Sequence, residues 1–166
     1  EAFFHTAERR RLTVLFCDLF GMTTISEQST PEETVRILSR YLDHMIEAVF
    51  KHGGTVDKIL GDGLMAVFGA PLEMPNHEEA AISCALDMTK AMVVVRQQTG
   101  IPSLRTGVGI NTGPVVGGNI GSGKILDYTV IGDAVNVASR IEAETRNQDV
   151  DILVSQAAAE PVKSMF

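Results

Sequence analysis

Between Leu12 and Cys17 the chain reads Leu-Thr-Val-Leu-Phe-Cys, a short apolar and β-prone run that stops at Asp18. That pattern predicts a central strand ending in a carboxylate. The period then changes. Val35, Leu38, Leu42, Met45 and Val49 recur at helical spacing behind Thr30, Pro31 and Glu33, which supply a capping hydroxyl, a first-turn proline and a capping-box acid. Gly53-Gly54 ends this helix. Thr55 to Leu60 and Leu64 to Phe68 are β-prone again and flank Gly61-Asp62-Gly63, whose composition suits a tight hairpin turn displaying Asp62.

A second helix is predicted from Ala81, Cys84, Met88, Met92 and Val95, with Asn76 and Glu79 as its cap and Gly100-Ile101-Pro102 as its close. From Leu104 to Asn111, Leu104, Thr106, Val108 and Ile110 alternate with Arg105, Gly107, Gly109 and Asn111, as in a strand with unequal faces. Arg105 is expected to point away from the apolar face. Val115 to Ile120 and Tyr128 to Ile131 supply further strands around a glycine-rich loop, and Asp133 caps a helix running to about Thr145. The order strand, helix, hairpin, helix, strands, helix predicts an α/β fold of the α+β sandwich kind, a mixed and mainly antiparallel sheet with helices packed on it.

With 166 residues and 45% hydrophobic content, one domain spanning residues 1–166 is expected. A net charge of -7 argues against nucleic acid or a membrane surface as partner, because tracking phosphates normally needs a basic excess. Cys17 and Cys84 stand far apart in apolar runs, which suggests neither a disulfide framework nor a zinc cluster and fits a reducing, cytoplasmic setting. No apolar run reaches bilayer-spanning length, and the start at Glu1 has no signal-peptide layout. A first residue other than methionine suggests a fragment of a longer chain.

Two turn-borne carboxylates, Asp18 and Asp62, are hard oxygen ligands suited to magnesium, although acids at strand ends also serve solubility and turn geometry. Asn136 and Arg140 lie four apart, which stacks an amide and a guanidinium on one helical face where they can orient a sugar and neutralise a phosphate. The plainer alternative pairs Arg140 with Glu144 one turn later. Gly118 to Lys124 resembles the opening of a P-loop, but Ile125 stands where Ser or Thr is required and the chain continues as a strand, so a hairpin connection is expected. His5, His44, His52 and His77 show no ligand spacing and are assigned to surface or cap-adjacent positions, and the helix methionines to core filling.

Taken jointly, Phe16-Cys17-Asp18-Leu19-Phe20-Gly21-Met22-Thr23, the block from Asp57 to Phe68 containing Lys58 and Asp62, and Val135-Asn136-Val137-Ala138-Ser139-Arg140 resemble the signature blocks of class III nucleotidyl cyclases. Arg105 to Gly113 resembles the family's remaining block, and the likeness runs from about Leu12 to Ser155. The resemblance implies that Asp18 and Asp62, assisted by the Leu19 carbonyl, hold two Mg2+ or Mn2+ ions, while Arg105 contacts the nucleotide phosphates. It further implies a homodimer with sites shared across the interface. The partner subunit would supply Lys58 and Thr129 to read the adenine edge, Asn136 to anchor the ribose, and Arg140 to face the α-phosphate. Lysine only donates hydrogen bonds, which suits the acceptor N1 of adenine, and the Thr129 hydroxyl can accept from the adenine amino group.

That pair resembles a bacterial and soluble bicarbonate-responsive subgroup, which brings bicarbonate regulation with it as an expectation. The implied activity is adenylate cyclase, making cyclic AMP and pyrophosphate from ATP in signal transduction. Its rivals are a guanylate cyclase, a catalytically silent nucleotide-binding regulatory module, and a polymerase-like palm, for which no basic template surface is visible. The sequence departs from the family at Met22, where Phe is usual, and in the C-terminal hairpin lysine, which has no counterpart before Phe166 because Lys163 lacks its surroundings.

Overall fold

A computed structural model describes residues 3–4, 7–21, 27, 29–122 and 125–166. Its strands are β1 (Phe3–Phe4), β2 (Glu8–Phe20), β3 (Thr55–Leu60), β4 (Gly63–Phe68), β5 (Arg105–Ser122), β6 (Ile125–Ile131) and β7 (Ile152–Val154). Its helices are α1 (Pro31–Lys51), α2 (His77–Thr99), α3 (Asp133–Gln148) and the short α4 (Gln156–Ala159), followed by a 3-10 turn at Glu160–Val162. The described strands form one sheet in the order β1-β5-β2-β4-β3, with β6 and β7 also pairing with β5. Only β7 runs parallel to its partner among the described pairs, so the mixed, mainly antiparallel sheet is what the sequence led us to expect.

The run from Leu12 is buried on both faces because helices cover the sheet on both sides. Leu15, Cys17 and Leu19 face a core shared with α1 and α2, whereas Leu12 and Val14 face a second core closed by Ala134 and Ala138 of α3. Thr30 accepts from the Glu33 amide at 3.2 Å, so the cap of α1 forms as expected. Its buried stripe is Ile37, Tyr41, Met45, Ala48 and Val49, however, and Val35 is exposed. On α2, Ala81, Cys84, Met88, Met92 and Val95 are all buried, and Gly100 closes the helix at φ 72°.

Several sequence expectations need correction. Strand β2 continues past Asp18 to Phe20, because Leu19 and Phe20 still pair with Thr106 and Arg105. Strand β5 is one continuous element rather than two, and its glycine face is not open, since α3 lies directly on it. A Cβ at Gly109 would sit 2.2 Å from the Glu142 nitrogen, and one at Gly107 would sit 2.4 Å from Thr145 Oγ1. The glycines therefore exist to admit the helix, and both faces of Thr106 to Asn111 are buried. Asn76 takes the expected N-cap position of α2, its carbonyl accepting from the Ala80 amide at 3.0 Å, but its side chain makes no cap bond, and Asp133 is the first residue of α3 behind the N-cap Gly132. The Gly118 to Lys124 region is a hairpin, with Ser122 paired to Ile125, although Gly123 and Lys124 lie outside the described residues. Strand β7 fell in a stretch too short and irregular to announce itself.

Candidate active site

The carboxylate-bearing residues Asp18 and Asp62 come together because β2 and β4 are neighbours and Asp18 pairs with Gly63, the residue after Asp62. The Leu19 amide donates to the Asp62 carbonyl at 2.9 Å, tying the two segments through their main chains. Gly63 is obligatory there: a Cβ would lie 1.9 Å from the Cys17 carbonyl oxygen. Behind them, the Tyr41 hydroxyl contacts Thr106 Oγ1 at 2.6 Å, and Thr106 donates to the Asp18 carbonyl at 3.2 Å, which joins α1 and β5 to the acidic corner. Burial holds the Asp18 carboxyl above its ordinary value, opposed by the Arg146 charge and reinforced by that of Asp62.

Arg105 opens β5 opposite Phe20 of β2. Its guanidinium lies 5.4 Å from the Phe20 ring centroid and donates to Asp149 and Asp151 at 2.8 and 3.0 Å. Arg146 stands at the same 5.4 Å from that ring and is paired with Glu142 at 2.9 Å.

Lys58 and Thr129 meet in a separate cleft of about 610 Å³, lined also by Asp57, Ile120, Asp127 and Tyr128. Thr129 donates to Asp57 at 2.9 Å, and the Lys58 ammonium lies 3.3 Å from the same carboxylate. Asn136 and Arg140 are exposed on α3 at adjacent turns. No ion pair joins Arg140 to Glu144 among the described residues; the Glu144 carboxylate instead accepts from Asn147 and Gln148. Arg140 thus keeps an exposed cation that the surface-pair alternative would have consumed.

The family model for the adenylate and guanylate cyclase catalytic domain matches residues 5–165. The chain belongs to the class III nucleotidyl cyclases. It is 39% identical over 162 residues to "Adenylate cyclase 1" of Rhizobium meliloti, an alignment covering 96% of this chain and 24% of that protein. The chain therefore spans about a quarter of that relative's length. Among solved structures, the guanylyl cyclase Cya2 matches with TM-score 0.85 and 40% identity over 93% of this chain and 79% of that one. The adenylyl cyclase CyaB from P. aeruginosa matches with TM-score 0.86 and 36% identity over 96% and 84%. Similarity alone thus shows the family and leaves the activity and the base to be argued from residues.

The adjacent strands bring the hard oxygen donors of Asp18 and Asp62 to one corner, and carboxylates are the donor type that suits divalent cations such as Mg2+. Among the other predicted features, His77 is cap-adjacent as expected, the first residue of α2 after Asn76, and its Nδ1 lies 2.7 Å from the hydroxyl of buried Thr13. His52 contacts Asp87 at 2.7 Å, as a surface role requires, and Lys163 is paired with Glu160. Met22 and His5 lie outside the described residues. The sequence reading missed Asp57, Phe20, Glu142 and Arg146. Glu142 and Arg146 were discoverable as an i, i+4 pair on the α3 face that meets the glycines.

Proposed function

We propose that this chain is the catalytic domain of an adenylate cyclase, part of a longer cytoplasmic signalling protein, and that it works as a homodimer with sites shared across the interface. The observation that carries the base assignment is the meeting of Lys58 and Thr129 in one cleft, where a donor and an acceptor stand side by side. Adenine offers an acceptor at N1 and a donor at its amino group, whereas guanine offers the reverse. Because of the 40% identity to a guanylyl cyclase, cyclisation of GTP is the second reading, and Lys58 opposes it.

In the reaction, the ribose 3'-oxygen attacks the α-phosphorus; the new O–P bond closes the ring, the bond to the bridging oxygen breaks, and pyrophosphate leaves with its electron pair. Divalent cations held by Asp18 and Asp62 would supply charge neutralisation at the attacking and leaving oxygens. Asn136 orients the ribose, and Arg140 of the other subunit meets charge developing at the α-phosphate, where removing one such preorganised donor typically costs a factor of about 10² to 10³. Arg105 would exchange Asp149 and Asp151 for phosphate oxygens. Bicarbonate responsiveness goes with the Lys-Thr pair as part of this reading and is tested by adding bicarbonate at fixed pH.

The test is a parallel assay with ATP and GTP at varied Mg2+ and Mn2+, scoring cyclic products. Cyclic AMP as the dominant product supports the assignment. Dominant cyclic GMP overturns the base assignment, and tight ATP binding without any cyclic product points to the silent module.

A further inference from the structure

Asp57 sits beside the base-reading pair with its side chain only 1% exposed. Strand pairing explains how it got there. Val56 pairs with Ala66 and Lys58 with Met65, so Asp57 is the extra residue of a β-bulge. Neighbouring strand residues normally point to opposite faces, and a bulge re-aims one of them. Asp57 and Lys58 can therefore line the same cleft.

The contacts of that carboxylate are all with donors. Thr129 Oγ1 donates at 2.9 Å to each oxygen, the Val130 amide donates to Oδ2 at 3.2 Å, and Lys58 Nζ lies 3.3 Å from Oδ1. A carboxylate accepts and does not donate, so the single proton of the Thr129 hydroxyl is committed to Asp57. Only lone pairs remain for the Thr129 oxygen to present to the cleft. Without Asp57, the hydroxyl could rotate and donate to the O6 of guanine just as readily as accept from the amino group of adenine.

We infer that Asp57 is a specificity-positioning residue, which fixes the hydrogen-bond polarity of Thr129 so that the cleft favours a 6-aminopurine over a 6-oxopurine. The inference rests on Lys58 and Thr129 being the base-reading pair. Asp57 touches no substrate atom; it acts through Thr129.

The experiment compares wild type, Asp57→Asn and Asp57→Ala on three substrates: ATP, GTP and purine riboside triphosphate, which keeps N1 but has no group at position 6. A role in polarity lowers the ATP to GTP ratio of kcat/KM about ten-fold, a change on the scale of one hydrogen bond. It also lowers the ratio of ATP to purine riboside triphosphate, because the latter gains nothing from Thr129. A purely structural role lowers all three substrates together and leaves both ratios unchanged, which overturns the inference. The conservative Asn variant keeps the side chain's shape, and its measurable turnover of purine riboside triphosphate certifies a folded site. A wild type that prefers GTP would instead overturn the adenylate reading itself. Wild-type preference for ATP with unchanged ratios in both variants overturns the role of Asp57 alone.

Discussion

The backbone N–H of Leu19 donates to the carbonyl of Asp62 at 2.9 Å, so the two acidic residues of the site are fixed to one another through the main chain and not through their side chains. Removing either carboxylate therefore leaves the connection intact. Asp18→Ala and Asp62→Ala are each expected to abolish metal-dependent cyclisation while retaining the wild-type circular dichroism spectrum. Near-normal turnover in either variant, with metal still required, would refute the two-carboxylate site.

The same corner predicts a trade between activity and stability. Burial, opposed by Arg146 and aided by Asp62, raises the folded-state value of Asp18 above its unfolded value of about 3.9. The folded protein thus holds this proton more tightly. The associated stability is complete below the unfolded value and is lost as pH rises through the folded one. At neutral pH the ionised carboxylate is a net cost, and Asp18→Asn should raise the melting temperature of the chelator-treated protein by a few degrees. The gain should shrink as pH falls through the folded value and be gone below about pH 4. A lower melting temperature at neutral pH would contradict it.

Gly109→Ala places a Cβ 2.2 Å from the Glu142 nitrogen, within the body of α3. Overpacking of this kind costs about 1–3 kcal/mol, and the displaced helix carries Asn136 and Arg140. Turnover should fall along with the denaturant midpoint, whereas an unchanged midpoint would mean that the helix rests elsewhere.

Both thiols are buried, and burial pushes Cys17 up to about 12. Because the thiolate is the reactive form, neither cysteine should alkylate in the native protein at mildly alkaline pH, and both should do so in denaturant. Native labelling monitored by mass spectrometry would expose an error in the packing of β2 against α1 and α2.

Lys58→Glu with Thr129→Cys replaces a donor by an acceptor at the base edge and should lower the ATP to GTP ratio of kcat/KM at least ten-fold. An unchanged ratio would mean that these residues do not read the base.

What the sequence disclosed follows from the range of the forces involved. Asp62 was placed correctly because Gly61-Asp62-Gly63 encodes its turn locally, and the Ala81 to Val95 stripe because helical period needs no partner. The continuous length of β5 was not legible, since its glycines look like breaks until α3 covers them. Asn76 stands at the N-cap of α2 without a side-chain bond, and Gly132 displaced Asp133 from the N-cap of α3, because a suitable side chain does not ensure the backbone geometry. Asp57 was invisible for a related reason: the bulge that turns it inward is a property of the β3–β4 pairing and has no mark in the strand's own residues.

The shared site is tested most directly by mixing two inactive proteins, Asp18→Ala and Arg140→Ala, under conditions where subunits exchange. Neither homodimer has a complete site. In the mixed dimer, one site joins the intact Asp18 of one copy to the intact Arg140 of the other, while the second carries both lesions. Random pairing makes about half the dimers mixed, with half of their sites intact, so roughly a quarter of wild-type cyclic AMP formation should return. Recovery of that size, lost on dilution below the dimer dissociation constant, is the predicted result; verified subunit exchange with no recovery would contradict the account.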